Sequence, residues 1–274
     1  MVAPVDVNAL EILAVSVAVE AGHLITGERP EHVVAAATKS SPTDVVTIMD
    51  TRAEELIRSR LLAARPDDSI LGEEGDDHGG GSDVTWVVDP IDGTVNYLYE
   101  IPAYAVSIAA VTGDPRVPGD WTVLAAAVAD PCRGRVCHAS RGGGAHVSTT
   151  EGELLSSLSV GGVVELGSAL VGTGFAYTEA RRRRQGQLLL EVLPKVRDIR
   201  RIGSAALDLC MVASGQLDGF FETGLHPWDL AAGWLLITEA GGVVTGPGGG
   251  APSAELTVAG NPAVRAALAA IVGR

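Results

Sequence analysis

Two periods of apolar residues divide the chain. Near the start, Leu10, Leu13, Val17, Ala21 and Leu24 recur at helical spacing. They predict an amphipathic helix from Asn8 to about Thr26, with Gly27 as its stop. The polar run Lys39-Ser40-Ser41-Pro42-Thr43-Asp44 reads as a turn, after which Thr47 or Asp50 can open a second helix through Leu62. Beyond it the pattern shortens to strands. Ser69-Ile70-Leu71-Gly72 leads into Glu73 and Glu74, and the Gly-rich segment from Asp76 to Ser82 reads as a surface connection. Thr85 to Val88 are all β-branched or aromatic, as suits a buried strand. Tyr104 to Val111, Val123 to Ala129 and Cys132 to His138 read as further strands joined by Gly/Pro turns, so this half should carry an antiparallel sheet.

The second half alternates strand and helix. Strands are expected at Leu170-Val171, Gly219 to Glu222 and Leu256 to Ala259. Helices are expected from Arg181 to Val192, Ser204 to Val212, Leu230 to Ala240 and Pro262 to Val272. Glu151 to Val164 shows no clear period. The Gly-rich composition between Arg141 and Gly162 marks the expected seam within a single domain of residues 1–274, with lobes of roughly 1–150 and 151–274. Gly246 to Ser253 reads as a flexible loop. Gly172-Thr173-Gly174-Phe175 opens like a nucleotide loop, but Tyr177 stands where Gly-x-Gly-x-x-Gly needs its last glycine.

Charge narrows the partners. The 274 residues include 34 acidic and 20 basic side chains, a formal net charge of −14, which opposes broad binding to nucleic acid or to an anionic membrane. The four arginines at 181–184 then read as a solvated helix face. No apolar run looks close to the ~20 residues that cross a bilayer, and the first 28 residues lack the basic start of a signal peptide. Three cysteines without a Cys-x-x-Cys pair suit a reducing, cytoplasmic compartment.

The chemistry gathers in Trp86-Val87-Val88-Asp89-Pro90-Ile91-Asp92-Gly93-Thr94. Pro90 fixes its own φ and keeps Asp89 out of helix, so the strand must turn there. Gly93 allows close backbone approach, and Thr94 offers a hydroxyl and an N–H. Carboxylates beside exposed amides can hold hard cations and a phosphate. Asp-Pro and Asp-Gly are also ordinary turn chemistry, and Asp50 and Asp229 stand where helix caps would stand. Yet Asp50, Glu73, Asp89, Asp92 and Asp229 all fall at element ends, as a converging cluster requires. No zinc spacing, Gly-x-Ser-x-Gly elbow or Walker loop competes. An all-oxygen donor set favours Mg²⁺, with Mn²⁺ possible and Ca²⁺ a competitor. Two such ions ~3.5–4 Å apart would clamp a phosphate for in-line transfer to water.

These motifs, with Lys39 to Asp50, Gly72-Glu73-Glu74, Asn96, Arg201-Ile202-Gly203-Ser204-Ala205-Ala206 and Trp228-Asp229-Leu230-Ala231-Ala232-Gly233 running to Gly241-Gly242, closely resemble the inositol monophosphatase family, and its bacterial extragenic-suppressor branch especially. The resemblance implies an α+β fold, a layered αβαβα sandwich with an antiparallel sheet in the N-terminal lobe and a smaller mixed sheet in the C-terminal lobe. It implies a lithium-sensitive, Mg²⁺-dependent phosphomonoesterase acting on inositol 1-phosphate with two or three ions per site, in a homodimer. By the same resemblance, Glu73, Asp89 and the Ile91 carbonyl hold the first ion, and Asp89, Asp92 and Asp229 the second. Glu73 also serves a weaker third ion through water. Thr94 with Asp50 orients or deprotonates the attacking water. The amides of Gly93 and Thr94 hold the phosphate, and Glu222 with Gly203, Ser204 and Ala205 contacts the alcohol. Histidinol phosphate, fructose 1,6-bisphosphate and 3′-phosphoadenosine 5′-phosphate are the alternative substrates, and a transcription- or RNA-associated role is the non-enzymatic alternative.

Overall fold

A computed structural model describes residues 5–38, 45–75 and 77–273. The turn expected at Lys39 to Asp44, and Asp76 at the head of the Gly-rich segment, lie outside the described residues. In chain order the elements begin with α1 (Val7–Gly27), β1 (Ala37–Thr38), β2 (Val45–Val46), α2 (Ile48–Ala64), β3 (Ser69–Gly72), β4 (Val84–Asp92) and a short α3 (Thr94–Leu98). Next come β5 (Ala105–Gly113), β6 (Trp121–Asp130), β7 (Arg135–Ser140), β8 (Gly144–Thr149) and β9 (Leu154–Ser157). The remainder is β10 (Leu170–Thr173), α4 (Glu179–Val192), β11 (Asp198–Arg200), α5 (Ala205–Ala213), β12 (Gly219–Glu222), α6 (Pro227–Glu239), β13 (Val243–Thr245), β14 (Thr257–Gly260) and α7 (Pro262–Val272).

Strands β3 to β9 form one sheet in sequential order, antiparallel except for the parallel β3–β4 pair. The second sheet runs β11-β10-β12-β14-β13 and is mixed: β10 lies parallel to both neighbours, and β14 antiparallel to both of its own.

Alternation along the strands builds the layers, because successive side chains leave opposite faces of a sheet. Trp86, Val88, Val106, Ile108, Ala125 and Ala127 pack against Leu10, Ala14, Val17 and Ala21 of α1 and Ala53, Ile57 and Leu61 of α2. Val87, Ala109, Val111, Ala126 and Val128 point the other way, into a core shared with Leu207 and Leu209 of α5 and Leu230, Leu235 and Leu236 of α6. Phe220, Val244 and Ala259 enter that same core from the second sheet. On the far side of the second sheet, Val171, Phe221 and Val258 meet Val264 and Leu268 of α7 and Val192 of α4. The result is the expected αβαβα sandwich. The many alanines of β5 and β6 let helices approach from both faces. They also leave few aromatic side chains to supply core volume.

Several expectations need correction. At 21 residues α1 is long and apolar enough to cross a bilayer, contrary to the reading that no run approaches that length. In this fold it is a core helix, with Leu10, Ala14, Val17, Ala18, Ala21 and Ile25 buried. Cys132 is not in a strand. Pro131 ends β6 without an N–H to donate, and the chain turns through Gly134 (φ 61°) before β7 starts at Arg135. β9 lies in the segment that showed no period; all its residues are exposed, so no alternation marks it. β8, β11 and β13 are likewise additions. Gly172 and Thr173 finish strand β10 and do not open a loop. Helix α6 begins at Pro227, three residues earlier than expected, so Asp229 is the third residue of the helix and His226 is its cap.

Candidate metal and phosphate site

The end of β4 is bent by its own sequence. Asp89 pairs with Ser107 and Asp92 with Ala105, so β4 carries one residue more than β5 across this step. This is a bulge at Pro90, where a ladder donor is missing. The bulge turns the Asp89 and Asp92 carboxylates toward one space. Ile91 N–H donates to Asp89 Oδ1 at 3.0 Å, which fixes the first of them. Asp229 arrives from the first turn of α6, where helix amides favour negative charge, and its Oδ2 accepts from His226 N–H at 2.7 Å. One carboxylate oxygen from each of Asp89, Asp92 and Asp229 lies within 4.8 Å of the others. Glu73, just past β3, hydrogen-bonds Asp89 and adds its charge to all three.

This basket resists full ionisation. Burial, then the charges of Glu73, Asp92 and Asp229, push the Asp89 carboxyl well above the usual range. Burial, then Glu73 and Asp92, does the same to Asp229. Asp92 rises to about 6 through burial, restrained by donors from Ser204 and Ala206. Crowded carboxylates with no sulfur or imidazole among them fit a hard divalent cation, whose charge would oppose each of these shifts.

Thr94 joins this basket to α2. Gly93 stands between them at φ 98°, and a Cβ there would lie 3.0 Å from the Ala103 carbonyl, so only glycine makes this step. Thr94 Oγ1 lies 3.1 Å from Asp50 Oδ1 and 3.0 Å from the Ile91 carbonyl. Asp50 is nearly inaccessible, and its other oxygen accepts from Thr47 N–H at 2.8 Å. Asp50 closes a capping box with Thr47, as expected of a residue at a helix start, and still presents an oxygen to Thr94. Burial raises its carboxyl above the usual range, against the pull of Thr47.

The far wall comes from the second sheet and α5. Asp92 Oδ2 accepts from Ser204 Oγ and Ala206 N–H, each at 2.6 Å. Ser204 also caps α5, accepting from Leu207 N–H at 3.2 Å, so one hydroxyl fixes both the helix and a carboxylate of the basket. Glu222 ends β12 directly over Gly174, where a Cβ would fall 2.2 Å from Glu222 Oε2. Burial and the charge of Asp92 lift Glu222 to about 8, opposed by Arg201. Asn96 ties Gly203 in place by donating to the carbonyls of Ala103 (2.7 Å) and Ile202 (3.0 Å).

Asp50, Glu73, Asp89, Ile91, Asp92, Gly93, Thr94, Ser204 and Asp229 are thus linked by contacts or charge into one cleft. Glu222 joins them through its field on Asp229, and Gly203 and Ala205 flank Ser204. Glu54 went unnoticed in the sequence. It is buried on α2 one turn after Asp50, and it accepts from Glu74 N–H at 2.7 Å and Gly75 N–H at 2.8 Å, shaping the loop that carries Glu73. Its sign was available: Asp50 and Glu54, spaced i,i+4, share the helix face of the apolar Met49, Ala53 and Ile57. Asp208 was also passed over. It is a buried acid on α5, lifted to about 8 by burial and then by Glu222 and Asp92.

Comparison with known proteins identifies the family. The profile of the inositol monophosphatase family matches residues 6–273. The inositol-1-monophosphatase of Mycobacterium leprae is 51% identical over 253 residues, covering 88% of this chain and 82% of the relative. The Nus factor SuhB of Salmonella typhimurium is 38% identical over 266 residues, covering 94% and 93%. The solved structure of Mycobacterium tuberculosis SuhB superposes with a TM-score of 0.78 at 44% identity, covering 97% of this chain and 96% of that one. The chain is a phosphatase that belongs to the inositol monophosphatase family.

Proposed function

We propose that this phosphatase hydrolyses inositol 1-phosphate to inositol and inorganic phosphate, as a single catalytic domain in the cytoplasm. Mg²⁺, with Mn²⁺ as a substitute, is held at two or three positions by Glu73, Asp89, the Ile91 carbonyl, Asp92 and Asp229. The observation that carries this reading is the three-carboxylate basket beside the Thr94–Asp50 hydrogen bond. The bound ions supply positive charge that offsets the −14 of the chain at the phosphate and acidifies water.

The protein's own groups do the rest by position. Thr94 Oγ1 orients the attacking water and passes a proton to Asp50, whose buried carboxyl is raised toward the range useful to a base. The amides of Gly93 and Thr94 hold phosphate oxygens where charge develops. Glu222 faces the alcohol together with Gly203, Ser204 and Ala205; a carboxylate accepts from several hydroxyls, which suits a polyol. Lithium should inhibit through the second metal position, which Asp89, Asp92 and Asp229 would form, and the enzyme should work as a homodimer.

The test is a panel of esters compared by kcat/KM: inositol 1-phosphate, histidinol phosphate, fructose 1,6-bisphosphate and 3′-phosphoadenosine 5′-phosphate. Inositol 1-phosphate should lead, and faster turnover of any rival displaces it as the substrate. Lithium titration and light scattering check the other two statements.

A second reading, a transcription-associated role, is favoured by one finding: the Salmonella relative is named a Nus factor. The exposed α4 arginines are its only local support, and Arg183 is already paired with Glu179. An Asp92→Asn chain that loses hydrolysis but restores growth to a strain lacking the gene would place the cellular role outside catalysis.

A further inference from the structure

Away from the catalytic cleft, a second cavity of about 780 Å³ opens where the first sheet meets α5. Its lining includes Cys137, Cys210, Asp130, Arg133, Arg135 and Met211. Cys137 projects from the middle of β7, between Val128 on β6 and Val147 on β8. Cys210 projects from α5 into the same apolar core. The two side chains line this one cavity and pack into the same core from opposite sides of the seam, close enough for each thiol to act on the other. They differ in access: Cys137 is half-buried, whereas Cys210 is buried at 7% exposure. Nothing in the phosphatase mechanism uses either thiol.

We propose that Cys137 and Cys210 form a redox-active thiol pair, a modification site that hydroperoxides close into a disulfide between the first sheet and α5. A reactive cysteine needs access and local stabilisation of its thiolate, and a reversible one needs a partner within reach. Cys137 has all three. It faces the cavity, which it shares with Arg135 and with the Cys210 thiol. The neighbouring Cys210 side chain lowers the Cys137 thiol, with burial and Asp130 opposing and Arg135 assisting. Cys137 correspondingly raises Cys210.

The reaction balances with peroxide as the named oxidant. The Cys137 thiolate attacks one peroxide oxygen, the O–O bond breaks, and a sulfenic acid and one water result. The Cys210 sulfur then attacks the Cys137 sulfur, and hydroxide leaves to take up the Cys210 proton as a second water. Two thiols lose two electrons and two protons, and one peroxide becomes two waters. The bridge would pin α5, whose first turn holds Asp92 through Ser204 and Ala206, to the centre of the first sheet.

The test uses the full-length folded chain. It is treated with a few equivalents of hydrogen peroxide, then denatured in an alkylating reagent, digested and weighed. The expected product is a joined Cys137–Cys210 peptide pair that weighs 2 Da less than the two free peptides together, with Cys132 alkylated; dithiothreitol before the alkylation gives three alkylated thiols. Cys137→Ser should abolish the joined peptide and leave turnover by the untreated enzyme within twofold of the parent. Full alkylation of both thiols after peroxide, oxidation of Cys137 to sulfinic acid without joining, or a bridge that uses Cys132 would each overturn the proposal.

Discussion

Two corners of one cleft hold buried carboxylates on different terms. At the end of β4, Asp92 receives a hydroxyl and a backbone N–H, both aimed at one oxygen, and it rises only to about 6 despite its crowded neighbours. One turn into α5, Asp208 is shut off from solvent at 1% exposure, whereas Asp92 is only partly buried; Asp208 Oδ1 finds no hydrogen-bond partner among the described residues, and the group rises to about 8. Donors favour the charged form, and burial without donors favours the neutral one. The first corner is therefore built to be neutralised by a cation, the second by a proton. The lesson is that acidity alone does not define the site, since the backbone around each carboxylate decides which acids stay anionic.

The sharpest way to break this contrast is to remove charge from the first corner. Asp89→Asn, Asp92→Asn or Asp229→Asn should each lower kcat/KM by about 10²–10³-fold or more, comparable to losing one preorganised electrostatic contact, with weakened Mg²⁺ binding. The fold should persist, because less like charge is left behind. Calorimetric Mg²⁺ titration and thermal melts check both halves, and undiminished activity of all three at saturating Mg²⁺ would refute the assignment. Next in size, Thr94→Val keeps the shape but deletes the hydroxyl between Asp50 and the Ile91 carbonyl. A loss of about 10²-fold in kcat with KM little changed is expected for a group that acts on the attacking water.

The first corner was legible in the chain and the second was not. Asp89, Pro90, Asp92 and Gly93 announce themselves because strand propensity stops abruptly in turn chemistry. The bulge and the φ of Gly93 are the physical form of that stop. By local pattern Asp229 and Asp50 read equally well as helix caps, and the structure puts Asp229 two residues inside its helix and Asp50 in a capping box. Asp208 is the one charged residue in the apolar helical run Ala205–Ala213, and no turn chemistry beside it points to a site. Its Oδ1 packs beside Gly172 of β10, an element 36 residues earlier in the chain. The layers were legible from period-2 strands and helical repeats, whereas β9 was not, because an edge strand with every side chain exposed has no pattern to show.

Glu54 tests whether the first corner depends on support behind it. Its carboxylate is shared by Glu74 N–H, Gly75 N–H and Arg58 Nε, the last at 2.8 Å. Glu54→Gln cannot satisfy three donors and turns an NH₂ toward one of them. About a tenfold rise in the Mg²⁺ needed for half-maximal activity is expected, as Glu73 loses its fixed position, with most of kcat regained at high Mg²⁺. Unfolding in urea should show a loss of about 1–3 kcal/mol. A fall in kcat that extra Mg²⁺ does not repair would move Glu54 from a positioning role to a direct one.

Asp208→Asn is the mildest change and the most exacting for the second corner. If Asp208 is a neutral acid near neutral pH, asparagine copies its charge and nearly its shape, so activity at pH 7 should stay within about threefold, on the scale of an ordinary near-isosteric substitution. The pH dependence of stability carries the sign. The folded carboxyl is raised to about 8 from a reference near 3.8, so between these values the folded chain holds a proton that the unfolded chain has released. Stability contributed by this group is then fully present below about pH 4 and is lost as pH rises toward 8, because the unfolded state binds fewer protons. Asparagine has no proton to lose. In Mg²⁺-free buffer its stability relative to the parent should therefore climb from pH 5 to 8 and level off above 8. A difference that stays flat across that window would mean Asp208 is ionised when folded, and the two corners would no longer differ.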